Sequence, residues 1–137
     1  MAETIDFELV SPERVLLSAP VEMAVVPGVE GDFGVLPRHA PMVSTLRPGV
    51  ISIWHGGAVE RRIFVAGGFA EVVPERCTVL AEEAIALDEA DAGMAEARIA
   101  RARGALEDAT GDAERRAAER RLAVAEALGA AVRARRD

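Results

Sequence analysis

Two periodicities divide the chain. Through about residue 84 the apolar residues come in short runs, several alternating strictly with polar ones; beyond it they recur three and four residues apart. At the head, Ile5, Phe7 and Leu9 alternate with Asp6 and Glu8, the pattern of a strand with one buried and one wet face. Ser11-Pro12-Glu13 reads as a turn and Val15 to Ala19 as the next strand. Val21, Met23 and Val25 form a third alternating set, closed by Pro27-Gly28. Further runs follow at Phe33–Leu36, Met42–Leu46, Val50–Trp54, Glu60–Val65, Phe69–Val73 and Thr78–Glu82. His55-Gly56-Gly57 falls between two of them, where glycine supplies the positive φ of a tight hairpin turn. Nine or ten short strands in about 84 residues leave no room for crossover helices. What remains is an antiparallel β-sandwich or flattened barrel.

The second part predicts two helices. Leu87-Asp88-Glu89-Ala90-Asp91 has the character of a helix start, with Asp88 as N-cap and acidic groups favoured by the helix dipole. Ala92, Ala95, Ile99, Ala102, Leu106 and Ala109 then form one stripe. Thr110-Gly111-Asp112 interrupts it, and Asp112 is the predicted cap of a second stripe, Ala118, Leu122, Ala125, Gly129 and Val132. So short a break makes the helices antiparallel neighbours. Mostly alanine stripes let the axes approach closely, yet they bury little apolar area at about 25 cal/mol per Å². The hairpin is therefore expected to be less stable than the sandwich, and suited to moving or to being held by a partner. The fold class is β plus α: an N-terminal antiparallel β-sandwich of about ten short strands over 1–84, then a C-terminal antiparallel two-helix hairpin over 85–137.

Charge sharpens that boundary. Residues 1–84 carry 6 basic and 12 acidic groups, residues 85–137 carry 10 and 11, and the net charge of the 137-residue chain is −7. Such a balance argues against nucleic acid, which needs a positive face. The acidic, alternating start, Met-Ala-Glu-Thr-Ile-Asp-Phe-Glu, is unlike a signal peptide, and no apolar run approaches the roughly 18 residues of a membrane span. The expectation is a cytoplasmic protein whose membrane association comes only through a partner. The single cysteine, Cys77, has no internal disulfide partner and reads as a small strand residue. All basic residues are arginine, a compositional bias rather than a functional signal.

Chemistry-bearing constellations are sparse. Gly28-Val29-Glu30-Gly31-Asp32-Phe33-Gly34 is glycine-rich, but a phosphate cradle needs a strand-to-helix context and commonly a Gly-Lys-Ser/Thr ending. Glu30 and Asp32 would also repel an anion, so the segment reads as a chain reversal holding two carboxylates out from the sandwich. His39 and His55 have no partner at a metal-ligand spacing, and no acid–base pair is set in a pocket pattern. Catalytic, metal and cofactor sites are all expected to be absent. On the residues alone three classes stay open: a subunit of a larger assembly, a small β-sandwich binding module with a helical dimerisation tail, and a small enzyme such as an isomerase. One tryptophan and no tyrosine leave little aromatic surface for sugar stacking, which counts against the second.

Four ordered stretches decide among these. Val26-Pro27-Gly28-Val29-Glu30-Gly31-Asp32-Phe33-Gly34-Val35-Leu36-Pro37-Arg38-His39-Ala40-Pro41 resembles the epsilon-subunit pattern of bacterial F-type, proton-translocating ATP synthases. So do Leu46-Arg47-Pro48-Gly49-Val50, Val65-Ala66-Gly67-Gly68-Phe69-Ala70-Glu71-Val72 and Thr78-Val79-Leu80-Ala81-Glu82. The resemblance implies a non-catalytic central-stalk subunit at the cytoplasmic face of the inner membrane. It implies that the sandwich docks on the gamma subunit and on the polar loops of the c-ring, coupling proton-driven rotation to ATP synthesis. It implies that the hairpin can lie folded or extend along gamma toward the alpha and beta subunits and inhibit ATP hydrolysis. The implied interface is Gly28, Glu30, Gly31, Asp32, Phe33 and His39, with Glu30 and Asp32 as the polar contacts. The His39-Ala40-Pro41 turn and the strand Phe69–Val72 read chiefly as structural.

Some family members bind ATP through Ile/Leu-Asp-x-x-Arg-Ala at the first helix, assisted by arginines on the second. Here Leu87, Asp88, Asp91 and Ala92 form a degenerate copy, with an aspartate where the arginine belongs. Arg121 matches one assisting arginine; Ala117 stands at the other position, beside Arg116. Like-charge repulsion between Asp91 and a triphosphate implies no ATP binding tighter than millimolar.

Overall fold

The computed structural model describes residues 3–135. They divide into two compact units at the Ala86–Leu87 junction. The first holds ten strands: β1 (Ile5–Val10), β2 (Val15–Val21), β3 (Met23–Gly28), β4 (Gly31–Val35), β5 (Met42–Leu46), β6 (Gly49–His55), β7 (Ala58–Val65), β8 (Gly68–Val73), β9 (Arg76–Ala81) and β10 (Ala84–Ala86). They hydrogen-bond in the order β10-β7-β6-β3-β5-β8-β9-β1-β2, with β4 paired to β3. The sheet curls on itself as a sandwich. Strict alternation places Ile5, Phe7 and Leu9 in its core with Val21, Val26, Ile51, Ile53, Val72 and Val79, each at most 2% exposed.

Neighbouring strands pair antiparallel, some as hairpins and others across the sequence, with one exception among the described strands. β1 runs parallel to β9, Phe7 beside Cys77 and Leu9 beside Val79, because these strands come from opposite ends of the sandwich sequence. The β6–β7 hairpin turns on Gly56 and Gly57, at φ 61° and 77°, with His55 paired to Ala58. That is the geometry glycine permits without a Cβ penalty. β10 carries the sheet past residue 84, where composition changes: Ala84 pairs with Val65 and Ala86 with Ile63. Three residues are too few to show an alternation.

The second unit opens with a 3₁₀ turn, Leu87–Glu89, followed by α1 (Ala92–Asp108) and α2 (Asp112–Ala134). Both expected caps are corrected. Asp91, not Asp88, caps α1: its backbone is extended, and its side chain accepts from the Met94 amide at 2.7 Å. The 3₁₀ turn occupies Asp88, so the α-helix begins one turn later. Gly111, not Asp112, is the cap residue of α2, at φ 82° and with no side-chain bond. Glu114 reaches back instead, accepting from the Thr110 amide and hydroxyl, which hold its carboxyl below the usual range. Of the expected stripes, Ala95, Ala102, Ala118, Ala125, Gly129 and Val132 are buried; Leu128, outside the pattern, is buried too. A Cβ on Gly129 would lie 3.2 Å from Ile99 Cδ1, so close helix approach depends on that glycine. No helix among the described residues is long and apolar enough to cross a membrane.

Candidate docking surfaces

The strand register gathers the connections at one end of the sandwich. Gly28 pairs with both Gly31 and Leu46, Leu46 with Gly68, Gly68 with Ala81, and Gly49 with Val65. The turns at 29–30, 47–48, 66–67 and 82–83 therefore lie together. β1 ends there too, since Val10 stands beside Leu80, and it brings the turn at 11–14. Carboxylates of Glu13, Glu30, Asp32, Glu82 and Glu83 outnumber the guanidiniums of Arg14 and Arg47 at this end.

The segment 28–34 reverses the chain through a two-residue hairpin turn. Only Val29 and Glu30 form the turn, both exposed, while Asp32 is already a strand residue opposite Pro27. Of the glycines at 28, 31 and 34, only Gly31 has positive φ, at 138°. Gly28 matters for space: a Cβ there would meet the Gly31 carbonyl at 2.8 Å and the Phe33 ring at 3.0 Å. Phe33 is half-buried and packs partly against the core. Asp32 is tied to Arg47, whose Nη2 stands 2.6 Å from its Oδ1; Arg47 Nη1 donates to the Gly28 carbonyl at 2.5 Å. His39 lies elsewhere. It follows the far end of β4, where Val35 pairs with Ala24, and β4 alone spans roughly 14 Å. Its ring nitrogen Nδ1 sits 2.7 Å from the Ala40 carbonyl.

A second surface was not legible as such in the sequence. Phe69 is 42% exposed and pairs with Leu80, 39% exposed; Leu80 stands beside Val10, and Val10 pairs with the exposed Val15. These side chains make an apolar row about 14 Å long across β8, β9, β1 and β2 on the outer face. Val43, 67% exposed, adds to it from β5. Contiguous outward apolar residues mark contact surfaces more than isolated ones do. Phe69, expected to be structural, belongs to this row. Its signal was available, because Phe69 shares a strand face with Glu71 while Ala70 and Val72 point inward.

The degenerate nucleotide stretch at 87–92 and the assisting Arg121 are not brought together. Ile99 packs at Gly129, and Arg135 donates to the Leu87 carbonyl, so the start of α1 lies by the C-terminal end of α2. Asp91 precedes Ile99 by eight residues and Arg121 precedes Gly129 by eight, on antiparallel helices. Each offset is roughly 12 Å along its axis, and the two add. Asp91 is occupied as a cap, Leu87 is buried, Asp88 is exposed and Ala92 is half-buried in the first turn.

Residues 4–87 match the family model described as ATP synthase, Delta/Epsilon chain, beta-sandwich domain. The chain belongs to that family. Proteins named ATP synthase epsilon chain are 60% identical over 131 residues in Rhodospirillum rubrum, covering 96% of this chain and 98% of that one. In Paramagnetospirillum magneticum the identity is 60% over 132 residues, covering 96% and 99%. A chain from the Euglena gracilis mitochondrial ATP synthase structure (OSCP, F1 and c-ring) superposes with TM-score 0.78 at 28% identity, covering 94% of this chain and 81% of that chain. One from the Tetrahymena thermophila mitochondrial ATP synthase central stalk and c-ring shares the fold, with TM-score 0.69 and 16% identity over 93% and 96%. Membership of the delta/epsilon family thus extends from the sandwich, through the whole-length relatives, to the two-helix unit.

Proposed function

We propose that the chain is the non-catalytic rotor-stalk subunit of an F-type ATP synthase. The outer face of its sandwich docks on the gamma subunit, and its carboxylate-rich end meets the polar loops of the c-ring. Ring rotation is thereby coupled to the catalytic head, and the chain is held peripherally at the cytoplasmic face of the inner membrane. The observation that carries this reading is the partition of the sandwich surface. Phe69, Leu80, Val15 and Val43 face water on one outer face, and carboxylates crowd the adjoining end. Full burial of one such apolar side chain is worth about 1.5–3 kcal/mol, so a partner covering the row gains affinity. Carboxylates at the end would be costly to bury unpaired and suit a wet, charge-complementary contact that sets register. The two-helix unit, with its seam of small residues, extends along gamma toward the alpha and beta subunits and restrains ATP hydrolysis.

Affinity-tagged chain purified from its own cells should bring down alpha, beta, gamma and the c-ring. Phe69→Glu with Leu80→Glu should leave the sandwich folded and weaken capture of purified gamma by about tenfold or more, as loss of central apolar contacts does. Wild-type capture of gamma by that folded double variant would remove the outer face from the interface.

A further inference from the structure

The charge-rich end contains one guanidinium that spans both strands of the β3–β4 hairpin. Arg47 sits in the β5–β6 turn. Its amide donates to the Pro27 carbonyl at 3.0 Å, and the Val29 amide donates to the Thr45 carbonyl at 3.0 Å. These bonds, with the single pairing of Gly28 to Leu46, are what join the hairpin tip to β5. The side chain completes the joint. Nη1 takes the Gly28 carbonyl on β3 and Nη2 takes Asp32 Oδ1 on β4, at 2.5 and 2.6 Å. A planar fork meets two acceptors at once, which an ammonium, a single point charge, does not reproduce.

This contact is poorly explained as a source of stability. The Arg47 and Asp32 side chains are 43% and 58% exposed, and ion pairs so open to solvent contribute little to folding. Its geometric effect is larger. It fixes where the tip stands, orients one carboxylate, and leaves Glu30 in the turn, with no ion pair among the described residues. We propose that Arg47 is a positioning residue for ring docking: its fork pre-organises the β3–β4 tip, so that Asp32 is presented in one orientation and Glu30 stands free beside it. The proposal rests on the ring-docking reading above. Pre-organising a contact loop raises affinity by removing the ordering cost from the binding step.

Charge and positioning make opposite predictions for one substitution. Arg47→Ala makes the tip more negative; if attraction to basic ring loops were the whole effect, docking would tighten, most of all at low salt. If Arg47 positions the tip, docking weakens at every salt concentration. Full-length wild type, R47A, R47K and D32N, each assembled with gamma, would be titrated onto c-rings in nanodiscs at low and high salt, with folding followed by circular dichroism. R47A and R47K are both expected to weaken docking by about tenfold, although R47K keeps the charge. D32N should lose less, because an amide oxygen still accepts from Nη2. Tighter or unchanged docking by R47A overturns the proposal while the ring-docking reading stands. Should R47A fail to fold, R47K docking like wild type overturns it equally. Unchanged docking by Glu30→Lys with Asp32→Lys would instead defeat the ring-docking reading, and the proposal with it.

Discussion

Asp91 offers a perturbation whose size follows from its geometry. It caps α1 with extended backbone and a 2.7 Å bond to the Met94 amide, and α1 has no acidic residue in its first turn to share the task. Replacing an N-cap carboxylate by alanine costs about 1 kcal/mol. Arginine, the residue of the nucleotide-binding pattern, adds a cation to the positive end of the helix dipole, about 0.5 kcal/mol more. The sum for Asp91→Arg, roughly 1.5 kcal/mol, is about tenfold in the equilibrium between ordered and frayed helix. In full-length protein the helical circular dichroism signal should melt about 5–10 °C lower for Asp91→Arg, with Asp91→Ala between it and wild type. Asp91→Asn should stay near wild type, because asparagine caps as well as aspartate. Capping by Asp91 is refuted if Asp91→Ala and Asp91→Arg both melt with the wild type, or if Asp88→Ala lowers the helical melt instead.

Three further outcomes follow from the sandwich. A fragment ending at Ala86 should unfold cooperatively on heating, and one ending at Glu83 should melt lower, because it lacks β10 and its pairing with β7; equal melting points would make β10 dispensable. Gly68→Ala places a Cβ 1.9 Å from the Leu80 carbonyl at φ 138°, so a loss of about 3 kcal/mol or more in urea unfolding, or no folded protein, is expected. Burial pushes the Cys77 thiol up to about 11 from 9.0, and the folded state thus favours the neutral thiol. Its contribution to stability is complete below pH 9 and is lost as pH rises toward 11, so the urea midpoint should fall over that window more than in Cys77→Ala.

All nine apolar runs read as strands correspond to β1–β9, whether or not they alternate, and only the three-residue β10 was not legible. Ile5, Phe7 and Leu9 reveal their inward face directly, and Gly56-Gly57 marks its own turn. Ala84-Ile85-Ala86 shows no pattern, because its place is set by pairing with β7 rather than by a face of its own. At the helix start, Asp88 and Asp91 are both capable caps three residues apart; the 3₁₀ turn decides between them, and nothing local encodes it. The glycines at 28, 31 and 34 looked alike, yet one serves backbone geometry and another the space beside the Phe33 ring. Arg47 could not be tied to Asp32 from sequence, since 15 residues separate them and the contact depends on β3 meeting β5. The resemblance implies His39 together with the tip, and the length of β4 places it at the other end of that strand.

On the proposed function, this sandwich transmits torque between ring and head through its charged end. The most direct test is proton pumping per ATP in inverted membrane vesicles carrying Glu30→Lys with Asp32→Lys. Both positions are exposed, so the fold should persist, and the reversal adds repulsion as well as removing attraction. ATP hydrolysis by the head should continue while pumping per ATP falls and the head is retained less well on washed membranes. Wild-type pumping with normal retention of the head would contradict the proposed function, and would leave the hairpin tip as a connection facing solvent.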